Sequence, residues 1–126
     1  MSAHTPEACE QLFAHYLNAG NVDNLLALYE PQASHVRSDG SVAHGKDAIR
    51  LVLDEFVAMQ PTLHVRLKKT VGAGDDLAVL YDDWTLTAKG SDAKLIEMNG
   101  KGRHVIRRQR DGTWMFVVTG VTNAGF

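Results

Sequence analysis

The feature that most constrains this chain is a change of hydrophobic period at Pro61, from three- and four-residue spacing before it to two-residue alternation after it. On the early side, Thr5 suits a helix N-cap, Pro6 the first helical position and Glu7 the positive end of the helix dipole. Cys9, Leu12, Phe13, Tyr16 and Leu17 then form one apolar face, and Gly20 closes the helix. Val22, Leu25, Leu26 and Tyr29 mark a short second helix ending near Glu30-Pro31. Ala33 to Ser38 reads as a strand that turns at Asp39-Gly40, and a third helix runs from about Lys46 to Met59. Beyond Pro61, strands are expected over Leu63 to Val71, Leu77 to Ala88, Leu95 to Arg110 and Thr113 to Val121, separated by turn-forming clusters such as Gly90-Ser91-Asp92 and Asp111-Gly112. Helices first and hairpins second predict a mainly antiparallel α+β domain over residues 1–126, with Phe13, Tyr16, Leu28, Phe56 and Ile106 in its core.

Charge and cysteine content narrow the function classes. A net charge of -2 offers no global attraction for nucleic acid or anionic lipid. Arg103, Arg107, Arg108 and Arg110 fall on both faces of their strand without interleaved aromatic platforms, so they read as a solvated or salt-bridged strand. The single Cys9 cannot form an internal disulfide, and its apolar helix face makes it a core residue. The start of the chain has no secretory pattern and no stretch reaches membrane-spanning length, so a cytoplasmic setting without membrane contact is expected. No spacing among His4, His15, His44 and His64 brings metal ligands together; no metal and no cofactor is expected.

Several words in the chain carry a resemblance. Leu17-Asn18-Ala19-Gly20-Asn21-Val22-Asp23, Leu28-Tyr29-Glu30-Pro31-Gln32-Ala33 and Gly45-Lys46-Asp47-Ala48-Ile49-Arg50 resemble the opening of ketosteroid isomerase-like and SnoaL-like proteins of the nuclear transport factor 2-like superfamily. Arg108-Gln109-Arg110-Asp111-Gly112-Thr113-Trp114 resembles their final hairpin. The resemblance implies a cystatin-like cone, a curved antiparallel sheet wrapped around three N-terminal helices with a pocket inside. In the steroid isomerases of that superfamily a tyrosine and an acid form an oxyanion hole and an aspartate moves the proton, a device that needs donors in an apolar cavity. Counting from the shared words places Phe13 at the tyrosine, Arg37 within a residue of the aspartate and His104 at the second acid. None of the three isomerase groups is present, so that mechanism is not expected.

The same counting puts His35 and Arg37 on the inward face of the first strand. Pairing across the Asp111-Gly112 turn sets His104 opposite Thr119 and Ile106 opposite Val117, and alternation adds Tyr81 and Asp83 to the inner face. With Phe13 and Phe56 these residues outline a small-molecule pocket, apolar with a few polar groups. His104, Asp83 and His35 are its acid-base candidates. Arg37 with Asp83 reads either as an anion clamp or as a mutual structural pair. A bulge in Asn99-Gly100-Lys101-Gly102 would reverse the alternation.

Three functions fit: an enzyme of isomerase, lyase or cyclase type, a carrier or sensor of a partly apolar small molecule, and an assembly module. Leu80, Trp84, Val105, Phe116 and Val118 alternate with the inward set and are expected to form an apolar outer face joining a homodimer.

Overall fold

The computed structural model describes residues 2–90 and 92–122. Helix α1 (Pro6–Ala19) starts at Thr5, whose side chain accepts from the Ala8 amide at 3.1 Å. It ends where Gly20 takes φ 70°, a left-handed conformation that glycine adopts without strain. Helix α2 (Val22–Leu26) is shorter than its apolar spacing suggests, because Tyr29 already belongs to strand β1 (Tyr29–Val36). Pro31 is tolerated there because β1 departs from regular pairing between Tyr29 and Ser34. Strand β2 (Val42–His44), which the sequence reading did not include, folds back on β1 across Asp39-Gly40. Helix α3 (Gly45–Ala58) buries Ile49, Val52 and Leu53.

Long strands follow: β3 (Thr62–Ala73), β4 (Leu77–Lys89), β5 (Leu95–Arg108) and β6 (Trp114–Thr122). They form one curved sheet in the order β2-β1-β6-β5-β4-β3, antiparallel throughout except where β1 runs parallel to β6. The helices pack on its concave side, and Asn18 fixes α1 to β3 by donating to the Leu63 carbonyl at 3.1 Å and accepting from the Leu63 amide at 2.6 Å. Tyr16, Leu28 and Ile106 are in the core, while Phe13 and Phe56 are half-buried against it. Among the described residues no helix is long and apolar enough to cross a membrane.

Register decides which residues face inward. Residues opposite each other in a ladder share a face. The row His35, Thr119, His104, Leu80 crosses β1, β6, β5 and β4 on the concave side, so Asp82, Trp84 and Leu86 share it. Tyr81 and Asp83 are therefore on the convex side, opposite to the reading by alternation alone. There, Lys69 and Arg103 approach the Tyr81 ring at 4.7 Å and 5.3 Å, and Asp83 pairs with Lys101 at 3.1 Å and Lys68 at 3.6 Å.

The bulge lies not in Asn99-Gly102, where β4 and β5 pair continuously, but in β6 opposite Val105 and Ile106. It makes Val117 the extra residue, sets Phe116 rather than Val117 opposite Ile106, and turns Phe116 inward. The expected outer face is corrected accordingly: Leu80 and Phe116 are fully buried core, Trp84 faces the concave side, and only Val105 and Val118 remain outside.

Candidate functional site

Between the helices and the sheet lies a cavity of about 370 Å³. Its apolar walls include Phe13 and Leu17 from α1, Val52 and Phe56 from α3, and Trp84, Leu86 and Phe116 from the sheet. Of the residues expected in a pocket, Phe13, His35, Arg37, Phe56, His104 and Thr119 line it. Ile106 is fully buried behind it, Val117 sits in the bulge, and Tyr81 and Asp83 are on the other side of the sheet. Arg37 does not meet Asp83; it pairs with Glu55 at 3.3 Å on the exposed side of the cavity.

Two buried residues that the sequence reading passed over supply the polar end. Glu10 lies on the helix stripe Glu10, Phe13, Leu17, and Asp82 lies between Leu80 and Trp84 on one strand face. Each is an acid set among apolar residues of the same periodicity, and that is the signal that would have found them. His104 Nε2 donates to Asp82 Oδ2 at 2.9 Å and stands 3.7 Å from Glu10 Oε1. The Gly120 amide points at His104 Nδ1 at 3.4 Å, which makes Nδ1 the acceptor and Nε2 the proton-bearing nitrogen.

The two carboxyls are pushed apart. Burial, reinforced by the hydrogen bond and charge of Asp82, raises Glu10 to about 9. Burial alone would raise Asp82 as well, but hydrogen bonds from His104 and Glu10 hold it below its ordinary value. At neutral pH Glu10 is thus a neutral acid beside an ionised Asp82. A proton on Glu10 also gives a role to its buried Oε1, which finds no donor elsewhere.

His35 belongs to a second set. Its Nδ1 is 2.8 Å from Thr119 Oγ1, deep in the cavity beside the buried Tyr29. Burial first, then the charges of His104 and Arg37, lower His35 to about 4, so it is neutral at physiological pH. Cys9, buried and donating to the Trp114 carbonyl at 3.0 Å, is pushed up to about 12 by burial and then by Glu10 and Glu7, so it remains a thiol.

Glu10, Asp82 and His104 also present possible ligand atoms within 4.8 Å of one another, a cluster that sequence spacing could not anticipate. A cation on Nε2 would require a proton on Nδ1, against the Gly120 N–H. A proton on Nε2 and a cation at that nitrogen are therefore alternatives.

A curved, unclosed sheet packed against helices on one side is the architecture of the nuclear transport factor 2-like, cystatin-like class. The chain belongs to the SnoaL-like domain family, which matches residues 9–119. Among solved structures, it resembles a ketosteroid isomerase-like protein from Erwinia carotovora atroseptica, with 15% identity and a TM-score of 0.83 over 95% of this chain and 94% of that one. A dehydratase candidate of the NTF2-like family from Streptomyces avermitilis is 16% identical, with a TM-score of 0.77 over 94% and 93%. A candidate calcium/calmodulin-dependent protein kinase type II association domain from Thiobacillus denitrificans is 19% identical, with a TM-score of 0.81 over 99% of each chain. No curated protein matches the chain.

Proposed function

We propose that the cavity binds a small, largely apolar molecule with an oxygen-bearing polar end, and that Glu10, Asp82 and His104 move a proton on it. The observation that carries this reading is the buried cluster at the polar end of an apolar cavity, where Asp82 meets His104 Nε2 at 2.9 Å and Glu10 stands 3.7 Å from the same nitrogen. Two carboxyls buried that closely do not both ionise readily, so one serves as proton donor and the other as acceptor. Asp82, oriented by His104, is the base that takes a proton from a carbon or hydroxyl of the substrate. Glu10 is the neutral acid that donates to the oxygen where charge develops, and the apolar walls strengthen both interactions. The step belongs to the isomerase, lyase or cyclase type, and the fold likeness to a dehydratase candidate is consistent with it.

Arg37, only loosely engaged by the exposed Glu55, is free to exchange that partner for a ligand carboxylate or carbonyl. A native mass spectrum of the protein as purified, followed by incubation of the released ligand with the enzyme in deuterated water, tests the reading. Deuterium incorporation that is lost in Glu10→Gln and Asp82→Asn supports it. Binding without exchange or turnover would make the protein a carrier or sensor.

We also infer that two copies associate through the convex face. The row Val71, Val79, Val105, Val118 crosses four strands there, with Val71 47% exposed. An antiparallel sheet whose second face met only water would carry polar residues in such a row. Light scattering at micromolar concentration should give twice the 13.8 kDa chain mass; a monomeric mass would remove this inference and leave the cavity reading intact.

A further inference from the structure

The β5 segment Asn99-Gly100-Lys101-Gly102 pairs regularly with β4, so its glycines are not explained by a bulge. Gly102 lies directly opposite Asp82 and two residues before His104, on the concave face. Its backbone is not in the left-handed region that favours glycine. What distinguishes it is the space above it. A Cβ built on Gly102 would stand 2.6 Å from Asp82 Oδ2, closer still to Oδ1, and 2.7 Å from His104 Nε2. These are the groups joined by the 2.9 Å hydrogen bond, and all are distances a real Cβ does not tolerate.

We propose that Gly102 is the positioning residue of the Asp82–His104 pair: its missing side chain is the seat in which the Asp82 carboxylate lies flat on the sheet and meets the imidazole. On a filled strand, side chains of neighbouring residues in the ladder stand side by side and roughly perpendicular to the sheet. Asp82 would then be held up beside the residue at 102 instead of folding over it toward His104. The glycine weakens its strand, since a strand interior without a side chain loses packing and conformational restriction, and that cost is accepted where another group must approach the backbone. The obstructed atoms are the tips of the Asp82 and His104 side chains and not backbone, so an added methyl pushes the pair apart while leaving the fold in place.

The seat is defined by geometry alone; its part in catalysis rests on the proton transfer proposed above. The test compares Gly102→Ala with Gly72→Ala, a strand glycine where a Cβ would meet nothing nearer than 3.9 Å. In the native protein the ¹⁵N shifts of His104 should report a single tautomer, protonated at Nε2. Gly102→Ala should shift them toward the average of two tautomers, whereas Gly72→Ala should leave them unchanged. A double-mutant cycle with Asp82→Ala supplies the second readout: the loss of melting temperature caused by Gly102→Ala should shrink when the carboxylate is gone. His104 shifts unaffected by Gly102→Ala, or the same stability loss with and without the Asp82 carboxylate, would overturn the proposal. Both readouts are made without substrate, so a failure here is separable from a failure to find deuterium exchange.

Discussion

Glu10 and His35 impose opposite pH dependences on folding. The folded Glu10 carboxyl titrates near 9 against an ordinary 4.5, so between those values the native state holds a proton that the unfolded chain has lost. Its contribution is complete below about 4.5 and is lost as pH rises through 9. His35 titrates near 4 against 6.5; its contribution is present above 6.5 and is lost as pH falls through 4. Between 4.5 and 6.5 the two slopes oppose each other, and above 6.5 Glu10 acts alone. Unfolding free energy measured in urea should therefore fall between pH 6.5 and 9 with a slope of up to about 1.4 kcal/mol per pH unit. Glu10→Gln keeps a neutral donor but cannot ionise, and should flatten that alkaline limb while exposing the His35 rise on the acid side. An alkaline limb unchanged in the variant would mean that Glu10 is ionised in the native protein.

At the scale of elements, the bulge in β6 decides what the last hairpin contributes. By turning Phe116 inward it places an aromatic ring against Phe13 at 6.1 Å, Tyr29 at 5.3 Å and His104 at 5.8 Å, so one side chain joins α1, β1 and β5 under the cavity. Phe116→Ala should cost about 3–5 kcal/mol, and Leu80→Ala about 2–5 kcal/mol, in chemical denaturation. Both costs should be independent of protein concentration, since both residues are buried within one chain. A concentration-dependent loss would return them to an intermolecular surface.

For the whole molecule, the concave side is occupied by helices and cavity while the convex side carries the valine row flanked by Lys68, Lys69, Lys101 and Arg103. Val105→Lys, with its new charge in the middle of that row, should convert a dimer to a monomer in light scattering while leaving ligand affinity unchanged. Loss of ligand binding together with dissociation would show that the second copy completes the site. The Arg107 pair with Glu30 and the Arg108 pair with Asp76 leave the end of β5 salt-bridged, as the basic run suggested.

The sequence by itself determined the order of elements apart from β2, the helical faces and the resemblance to the SnoaL-like family, because caps, hydrophobic period and turn residues act over a few neighbouring positions. It also located one row of the site: counting back from the Asp111-Gly112 turn correctly set His104 opposite Thr119. Tertiary structure alone decided which side of β4 faces inward. Leu77 to Ala88 carries apolar residues at both parities, Val79 and Tyr81 on one and Leu80 and Trp84 on the other, so a two-residue period has no preferred phase there. Pairing Leu80 with His104 fixes that phase, and with it exchanges Asp83 for Asp82 at the site. The bulge at Val117 reverses the phase of β6 in the same way. Glu10 stayed hidden for a related reason: an acid on an apolar stripe reads as an interruption until the chain brings Asp82 and His104 to it from 72 and 94 positions away. The proton they hold together is a property of burial and proximity, which no local pattern encodes.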